Sequence, residues 1–507
     1  MDDSHQSTPA ASDSPPQSAS DAPAKSAVAL AHRRIPRPTR KQVITIIITA
    51  ILAIAMYFLL PDSVNAPQRR MLCIFVVASI FWAAEVLPLF ATSLLVVGLM
   101  ILLLATDGGL AAKIPAFYDM PDDYSVSYKV FMAPFGSNII MLFMGGFLLS
   151  RALSKHSIDK AIAAKILQPF TKSPLLLIYG VLGISAFFSM WMSNTATAAM
   201  MLAIIAPIIK SFPSDDKFHR GVILAVPFGA NIGGIGTPIG TPPNAVAFEL
   251  INNSENMSIS FLQWMMIGLP LALFLLAGIG PLLLWTHKPK GELKIKKLEG
   301  PKAISWYGYL TIGILLGAVV LWLTGSWHGI GAGTVALLAA AALTALHVLD
   351  KYDVDSIDWN ILILMWGGLA MGVGMKVSGL TSLLSDIDLA SLPGGGGLTV
   401  LAIAVVVLSI GLSTFMSNTA TANLLVPLVM ALAVGAAINN VYLAVICALG
   451  CSFAMAMPVS TPPNAIAFAT GKITPSRLLV LGGGISIFSG IVLVLGARFV
   501  LPLVLGR

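Results

Sequence analysis

Long apolar runs broken at a few short polar places organise this chain. A helix that crosses a bilayer needs about 20 predominantly apolar residues. Runs of that kind lie near 43–61, 71–87, 89–106 and 131–151, and then near 220–250, 263–286, 304–324, 330–349, 359–376, 439–470 and 476–503. They predict eleven crossings in an all-α membrane protein. Two further apolar stretches are interrupted at their centres: 174–192 and 196–209 flank Ser193-Asn194-Thr195, while 398–416 and 420–434 flank Ser417-Asn418-Thr419. At 1.5 Å per residue a second arm of 14 or 15 residues reaches about 22 Å, short of the roughly 30 Å of hydrocarbon. Each pair is therefore expected to form a re-entrant helical hairpin with its polar tip near the membrane midplane.

The polar interruptions occur twice. Met192-Ser193-Asn194-Thr195-Ala196-Thr197-Ala198 returns unchanged at Met416-Ser417-Asn418-Thr419-Ala420-Thr421-Ala422. Thr241-Pro242-Pro243-Asn244 returns at Thr461-Pro462-Pro463-Asn464, and Leu142-Phe143-Met144-Gly145-Gly146 has a weaker echo at Leu364-Met365-Trp366-Gly367-Gly368. The separations, 142 to 364, 192 to 416 and 241 to 461, are 222, 224 and 220 residues. Duplicated halves of this kind mark transporters whose site lies at the repeat interface. Five crossings separate the hairpins, and an odd number makes the repeats inverted. The expected layout is a tail and basic segment over 1–40, a first transmembrane helix within 41–70, repeat 1 over 71–287 with its hairpin at 174–209, a linker over 288–303, and repeat 2 over 304–507 with its hairpin at 398–434.

Composition agrees with a lipid environment: 57% of the residues are hydrophobic and 10% charged, far from the balance of a soluble domain. The first 30 or so residues, rich in Ser, Ala, Pro and Asp, read as a disordered tail without the apolar core of a signal peptide. The net charge of +7 comes from basic residues at the ends of apolar spans, which argues against a nucleic-acid partner. Arg33, Arg34, Arg37, Arg40 and Lys41, the lysines of 288–302, and Arg151 to Lys172 fall on one side, which the positive-inside rule makes cytoplasmic. The acidic segment 347–358 dissents from that pattern. Cys73, Cys447 and Cys451 show neither metal-ligand spacing nor a disulfide framework and are read as core residues. Glu85, beside Leu87-Pro88 between two apolar spans, is read either as an intramembrane carboxylate with a coupling role or as an interfacial residue.

Ser, Asn and Thr favour helix N-caps, so each Ser-Asn-Thr tip ends one arm and begins the next. Thr241-Pro242 and Thr461-Pro462 place a cap residue before a proline suited to the first helical turn, so a half-helix starts at each. Four half-helix N-termini then point at one centre, each with roughly half a positive charge and unpaired N–H groups. Such a centre attracts anions, and free carbonyls at the opposing helix ends suit sodium. No Lys, Arg or His lies in either motif, so a co-bound cation is needed to neutralise a divalent anion. A channel could use the same oxygens, but duplicated half-helices suit alternating access better. An intramembrane enzyme would need a base or metal beside the serines, and none accompanies them, so the chain is not read as an enzyme.

The paired Ser-Asn-Thr and Thr-Pro-Pro-Asn motifs closely resemble the divalent anion/sodium symporter family, which includes sodium/dicarboxylate, sodium/citrate and sodium/sulfate carriers. The resemblance covers nearly all of the chain after residue 40. It implies eleven spans, two re-entrant hairpins, a homodimer and an elevator motion; the compact loops suit a bacterial inner membrane, and the basic residues ahead of the first span put the N-terminus in the cytoplasm. It implies one sodium site at Ser189, Ser193, Asn194 and Gly240, and a second at Ser413, Met416, Asn418 and Ser460. Substrate carboxylates would meet Asn194, Thr195, Thr241, Ser417, Asn418, Thr419, Thr461 and Pro462. The hydroxyls of Thr241 and Thr461 look more like those of dicarboxylate carriers, which makes succinate, malate and fumarate the leading substrates, moved with two or more Na⁺. A sodium-independent dicarboxylate exchanger, or a sulfate or citrate symporter, is the alternative.

Overall fold

The computed structural model describes residues 39–110, 114, 120–213, 216–254, 258–290, 303–386, 398–435 and 440–505. The expected 1–40 segment, apart from 39–40, and the expected linker, apart from 288–290 and 303, lie outside them. Among the described residues the elements are helical apart from one isolated bridge between Asp107 and Ser127. The chain divides after Ile47. The first unit contributes the start of α1 (Arg40–Leu59), an apolar helix in which only Thr49 is buried.

Repeat 1 runs through α2 (Ala66–Ala83), α3 (Leu89–Leu104), α4 (Asn138–Lys155), α5 (Ile158–Leu167), α6 (Pro174–Ser189), α7 (Asn194–Ser211), α8 (Phe218–Gly234), α9 (Pro242–Asn252) and α10 (Phe261–Thr286). Repeat 2 follows as α11 (Trp306–Leu323), α12 (Ala332–Ala345), α13 (Trp359–Val377), α14 (Leu398–Phe415), α15 (Asn418–Gly435), α16 (Asn440–Ser452), α17 (Pro462–Ala469) and α18 (Pro475–Leu505). Helix starts follow local chemistry. Asn65 and Ser260 form capping boxes with Gln68 and Gln263, and Ser137, Ser173 and Ser305 cap α4, α6 and α11. Each such cap satisfies an N–H that the first helical turn leaves open.

Two expectations change. Seven helices among the described residues are long and apolar enough to cross a bilayer, where eleven spans were expected. Six of the seven match expected spans and the seventh is α7, the second arm of the first hairpin; the expected spans not among them are α2, whose start carries Arg69 and Arg70, the short α3 and α12, and the stretches 220–250 and 439–470, each of which is two half-helices. The second hairpin arms, α7 and α15, are 18 residues each, about 27 Å at the α-helical rise. Their length does not prevent a crossing, so the re-entrant reading cannot rest on it. Glu85 is exposed, with φ 46°, in the turn between α2 and α3, outside the helices rather than among them.

The two repeats are interlocked. α4 packs on α12 of the other repeat, and α13 packs on α3. Both contacts run through the glycine echo. A Cβ on Gly145 would lie 2.6 Å from Cβ of Ala336, and one on Gly367 would collide with Ser93. Close backbone approach over small residues is how helices gain dispersion energy in lipid, where burial alone gives little. The exchange continues at the centre: α7 meets α17, α15 meets α9, and α9 meets α16. Helix α8 is buried on every side from Phe218 to Gly234, except for part of Arg220.

The acidic segment after α12 is also explained. Arg151 Nε, near the end of α4, donates to Asp353 at 2.9 Å, and Lys155 donates to Asp350 at 3.1 Å and also to Asp353. The acids are partners of basic residues on the same side of the helix bundle.

Candidate functional site

Each hairpin tip is built around one serine and one asparagine. α6 ends at Ser189, and Ser193 caps α7 by accepting the N–H of Ala196 at 3.2 Å. Ser189 Oγ donates to Asn194 Oδ1 across the tip. In the second hairpin Ser413 Oγ lies 2.7 Å from Asn418 Oδ1 and 2.7 Å from the carbonyl of Cys451. Both serines are fully buried, whereas the asparagines keep part of their surface open. Each asparagine therefore bridges an interior oxygen and an accessible face.

The broken helices close each cluster. α8 ends at Gly234, the chain turns through 235–240, and Thr241 is the N-cap of α9 with Pro242 at its first position. A Cβ on Gly234 would lie 2.7 Å from Asn194 Oδ1 and 3.2 Å from the carbonyl oxygen of Gly240. Only a residue without a side chain lets that amide and that carbonyl approach together. Thr237 Oγ1 donates to the Met190 carbonyl at 2.6 Å, tying this loop to the hairpin tip. In repeat 2 the matching carbonyl, that of Thr414, is met from a different loop position, by Ser460 Oγ at 2.9 Å.

Unwound backbone inside a membrane protein needs partners for its carbonyls. The fourth residue of each Thr-Pro-Pro-Asn motif supplies them. Asn244 Nδ2 donates to the carbonyls of Gly234 at 3.0 Å and Thr237 at 2.8 Å. Asn464 Nδ2 donates to those of Met455 at 3.2 Å and Met457 at 3.1 Å. Both asparagines are completely buried. Sequence reasoning noted them in the motif without giving them a role.

Ser189, Asn194 and Gly240 come together at one tip, and Ser413 and Asn418 at the other, with Ser460 joined to it through Thr414. Thr241 and Thr461 are buried half-helix caps at 2% exposure each. Thr195 and Pro462 are exposed, Ser417 is partly open, and Thr419 and Met416 are mostly buried. The oxygens present are hydroxyls, amides and carbonyls, a hard and neutral donor set that suits an alkali cation better than a transition metal. N-termini of α7, α9, α15 and α17 add positive dipole ends for an anion.

Three groups escaped the sequence reading. Thr197 and Thr421, at matching places in the repeated heptapeptide, are wholly buried, and each has a hydroxyl with no protein partner. Asn231 on α8, 1% exposed, donates to Thr461 Oγ1 at 3.1 Å and to Asn464 Oδ1 at 3.3 Å. It crosses from one repeat to the other. Its ungapped counterpart in repeat 2, placed by Pro238 and Pro458, is Cys451, so duplication gave no signal for it.

Two interlocked copies of a helical hairpin and a broken helix, each closing on a cluster of neutral oxygens, define an integral membrane transporter rather than an enzyme. Similarity to solved structures agrees at the level of fold. The crystal structure of the Alcanivorax borkumensis YdaH transporter matches with a TM-score of 0.54 at 13% identity, over 83% of this chain and 98% of that one. Neisseria gonorrhoeae MtrF, described as illuminating a class of antimetabolite efflux pumps, matches with a TM-score of 0.53 at 11% identity, over 83% of this chain and 96% of that one. The chain belongs to the family described as the sodium:sulfate symporter transmembrane region, which matches residues 39–505.

Relatives narrow the neighbourhood. An uncharacterized transporter of Haemophilus influenzae is 32% identical over 88% of this chain and 94% of that protein. The sodium-dependent dicarboxylate transporter SdcS of Staphylococcus saprophyticus is 28% identical over 88% of each chain, and its Staphylococcus aureus namesake 29% over 84% of each.

Proposed function

We propose that this protein is a Na⁺-coupled symporter for a C4-dicarboxylate such as succinate, malate or fumarate. The observation that carries the reading is the matched pair Ser189–Asn194 and Ser413–Asn418, each beside the loop of a broken helix. A cation bound there would replace the serine proton as the link between hydroxyl and amide oxygens. Ser193, Gly240, Met416 and Ser460 complete the two sodium shells in this reading. The sodium-dependent dicarboxylate transporters among the relatives support the choice of ion and substrate.

The sequence of events follows from charge. With no basic side chain in the motifs, two Na⁺ bind first and raise the potential at the tips. The dianion then docks on the accessible side, against Asn194, Thr195, Thr241, Ser417, Asn418, Thr419, Thr461 and Pro462. Moving one uncompensated charge through 100 mV is worth about 2.3 kcal/mol, so a third Na⁺ would let the membrane potential drive uptake. The hairpins are re-entrant and inverted, the hairpin-bearing body moves as an elevator against α3, α4, α12 and α13, and the unit is a homodimer. The N-terminus and the basic ends of α4 and α10 face the cytoplasm of a bacterial inner membrane.

Radiolabelled succinate uptake into proteoliposomes, with and without an inward Na⁺ gradient, tests this. Gradient-dependent accumulation is expected, and its absence together with absence of succinate exchange would refute the substrate.

A further inference from the structure

The two pseudo-equivalent threonines that begin α9 and α17 are not equivalent in their hydrogen bonds. Asn464 spends both amide hydrogens on the carbonyls of Met455 and Met457, so its Oδ1 can only accept. Asn231 must therefore turn its NH₂ toward Asn464, and its second hydrogen goes to Thr461 Oγ1 at 3.1 Å. The opposite amide orientation would set two acceptor oxygens against each other. Thr461 Oγ1 also accepts the backbone N–H of Asn464 at 3.3 Å. A hydroxyl has two lone pairs and one proton. Both lone pairs are now occupied, and only the proton is left.

We infer that Asn231 is a positioning residue that fixes the Thr461 hydroxyl as an obligate donor, so that Thr461 serves the anion and is closed to sodium. A cation needs an oxygen lone pair, and a carboxylate needs an O–H. Thr241, the counterpart in repeat 1, makes no side-chain cap bond, and Asn244 Oδ1, which stands where Asn464 Oδ1 stands, has no partner. Repeat 1 leaves its threonine free to turn either way. The dianion is thus held by an asymmetric site, with the fixed donor on the repeat 2 half-helix. This inference rests on the symporter reading given above.

The test compares wild type, Asn231→Ala, Asn231→Asp and Thr461→Ala in reconstituted uptake, measuring the substrate KM and the Na⁺ activation constant separately. Asn231→Ala frees the hydroxyl to rotate and should raise the substrate KM about tenfold, the scale of one charge-assisted hydrogen bond. Asn231→Asp presents an acceptor that draws the Thr461 proton away and should raise it further. The Na⁺ constant should stay within about twofold of wild type. In a Thr461→Ala background, Asn231→Ala should add nothing. An unchanged KM in both Asn231 variants, an equal rise in the Na⁺ constant, or additive effects with Thr461→Ala would each overturn the inference. Wild type is first scored on succinate, sulfate and citrate. Preference for sulfate or citrate would remove the dicarboxylate reading, while the variants, scored on the carried ion, would still decide the role of Asn231.

Discussion

The Ser413 hydroxyl lies 2.7 Å from Oδ1 of Asn418, five residues ahead and across the tip of a helical hairpin. Ser189 and Asn194 make the same bond in the other hairpin. This side-chain pair, repeated in both halves at the point where the helix breaks, is the one on which the proposed sodium sites are built.

Replacing Asn194 or Asn418 by Ala removes the oxygen that links the buried serine to the open face. Each change should abolish Na⁺-driven uptake while the protein still inserts and purifies as a folded species. The measurement is initial uptake rate in proteoliposomes at matched protein density, and full activity in both variants would sink the proposed site.

Asn464→Ala should act on stability as well as transport. It strands the carbonyls of Met455 and Met457 and one of the two Asn231 amide hydrogens, at a cost of about 1–3 kcal/mol for each buried group left unpaired. A clear fall in the thermal unfolding temperature of the detergent-purified protein is expected, larger than that of Thr461→Ala.

Gly145→Ala and Gly367→Ala push a methyl group into Ala336 and Ser93 respectively. Overpacking of this kind costs about 1–3 kcal/mol, and both variants should unfold at lower temperature. Gly183→Ala, where a Cβ meets nothing within 4 Å, is the control and should be unaffected.

The Asp353 cluster predicts a pH dependence. Burial works to raise the Asp353 carboxyl, but the Lys155 ammonium, the Asp350 N–H and the Arg151 guanidinium outweigh it and hold it below the usual carboxylate range. A pKa lower in the folded state than in the unfolded chain gives stability that is present above about pH 4 and lost as pH falls through the folded value. Asp353→Asn should lower stability at pH 7 by about 1–2 kcal/mol, given partners that are partly solvated. The gap between variant and wild type in thermal unfolding should narrow as pH is lowered from 6 toward 3.

Much of this is legible in the sequence. Ser193 and Thr461 cap their helices through their hydroxyls as their residue types demand, and Thr241 holds the expected N-cap position without a side-chain bond. Repetition made Asn194 and Asn418 visible, since two copies of one polar heptapeptide in apolar sequence have few structural excuses. What stayed hidden depends on contacts between the copies. Asn231 has no twin, so no sequence repeat could point to it. The glycine echo was visible as a pattern, but its partners Ala336 and Ser93 are ordinary residues until α12 and α3 are seen beside it. The length argument for the second hairpin arms failed because helix ends were placed by polar residues, and α7 and α15 continue through theirs.

The contacts of Gly145 with Ala336 and of Gly367 with Ser93 also bear on how the chain is made. A ribosome delivers the first half to the membrane with α4 and α7 lacking their surfaces of adhesion, because α12 and α17 have yet to emerge. Until the second half does, Gly145 on α4 faces no Ala336 and Ser93 on α3 faces no Gly367, so a chain truncated between the halves would leave these small-residue faces without a partner.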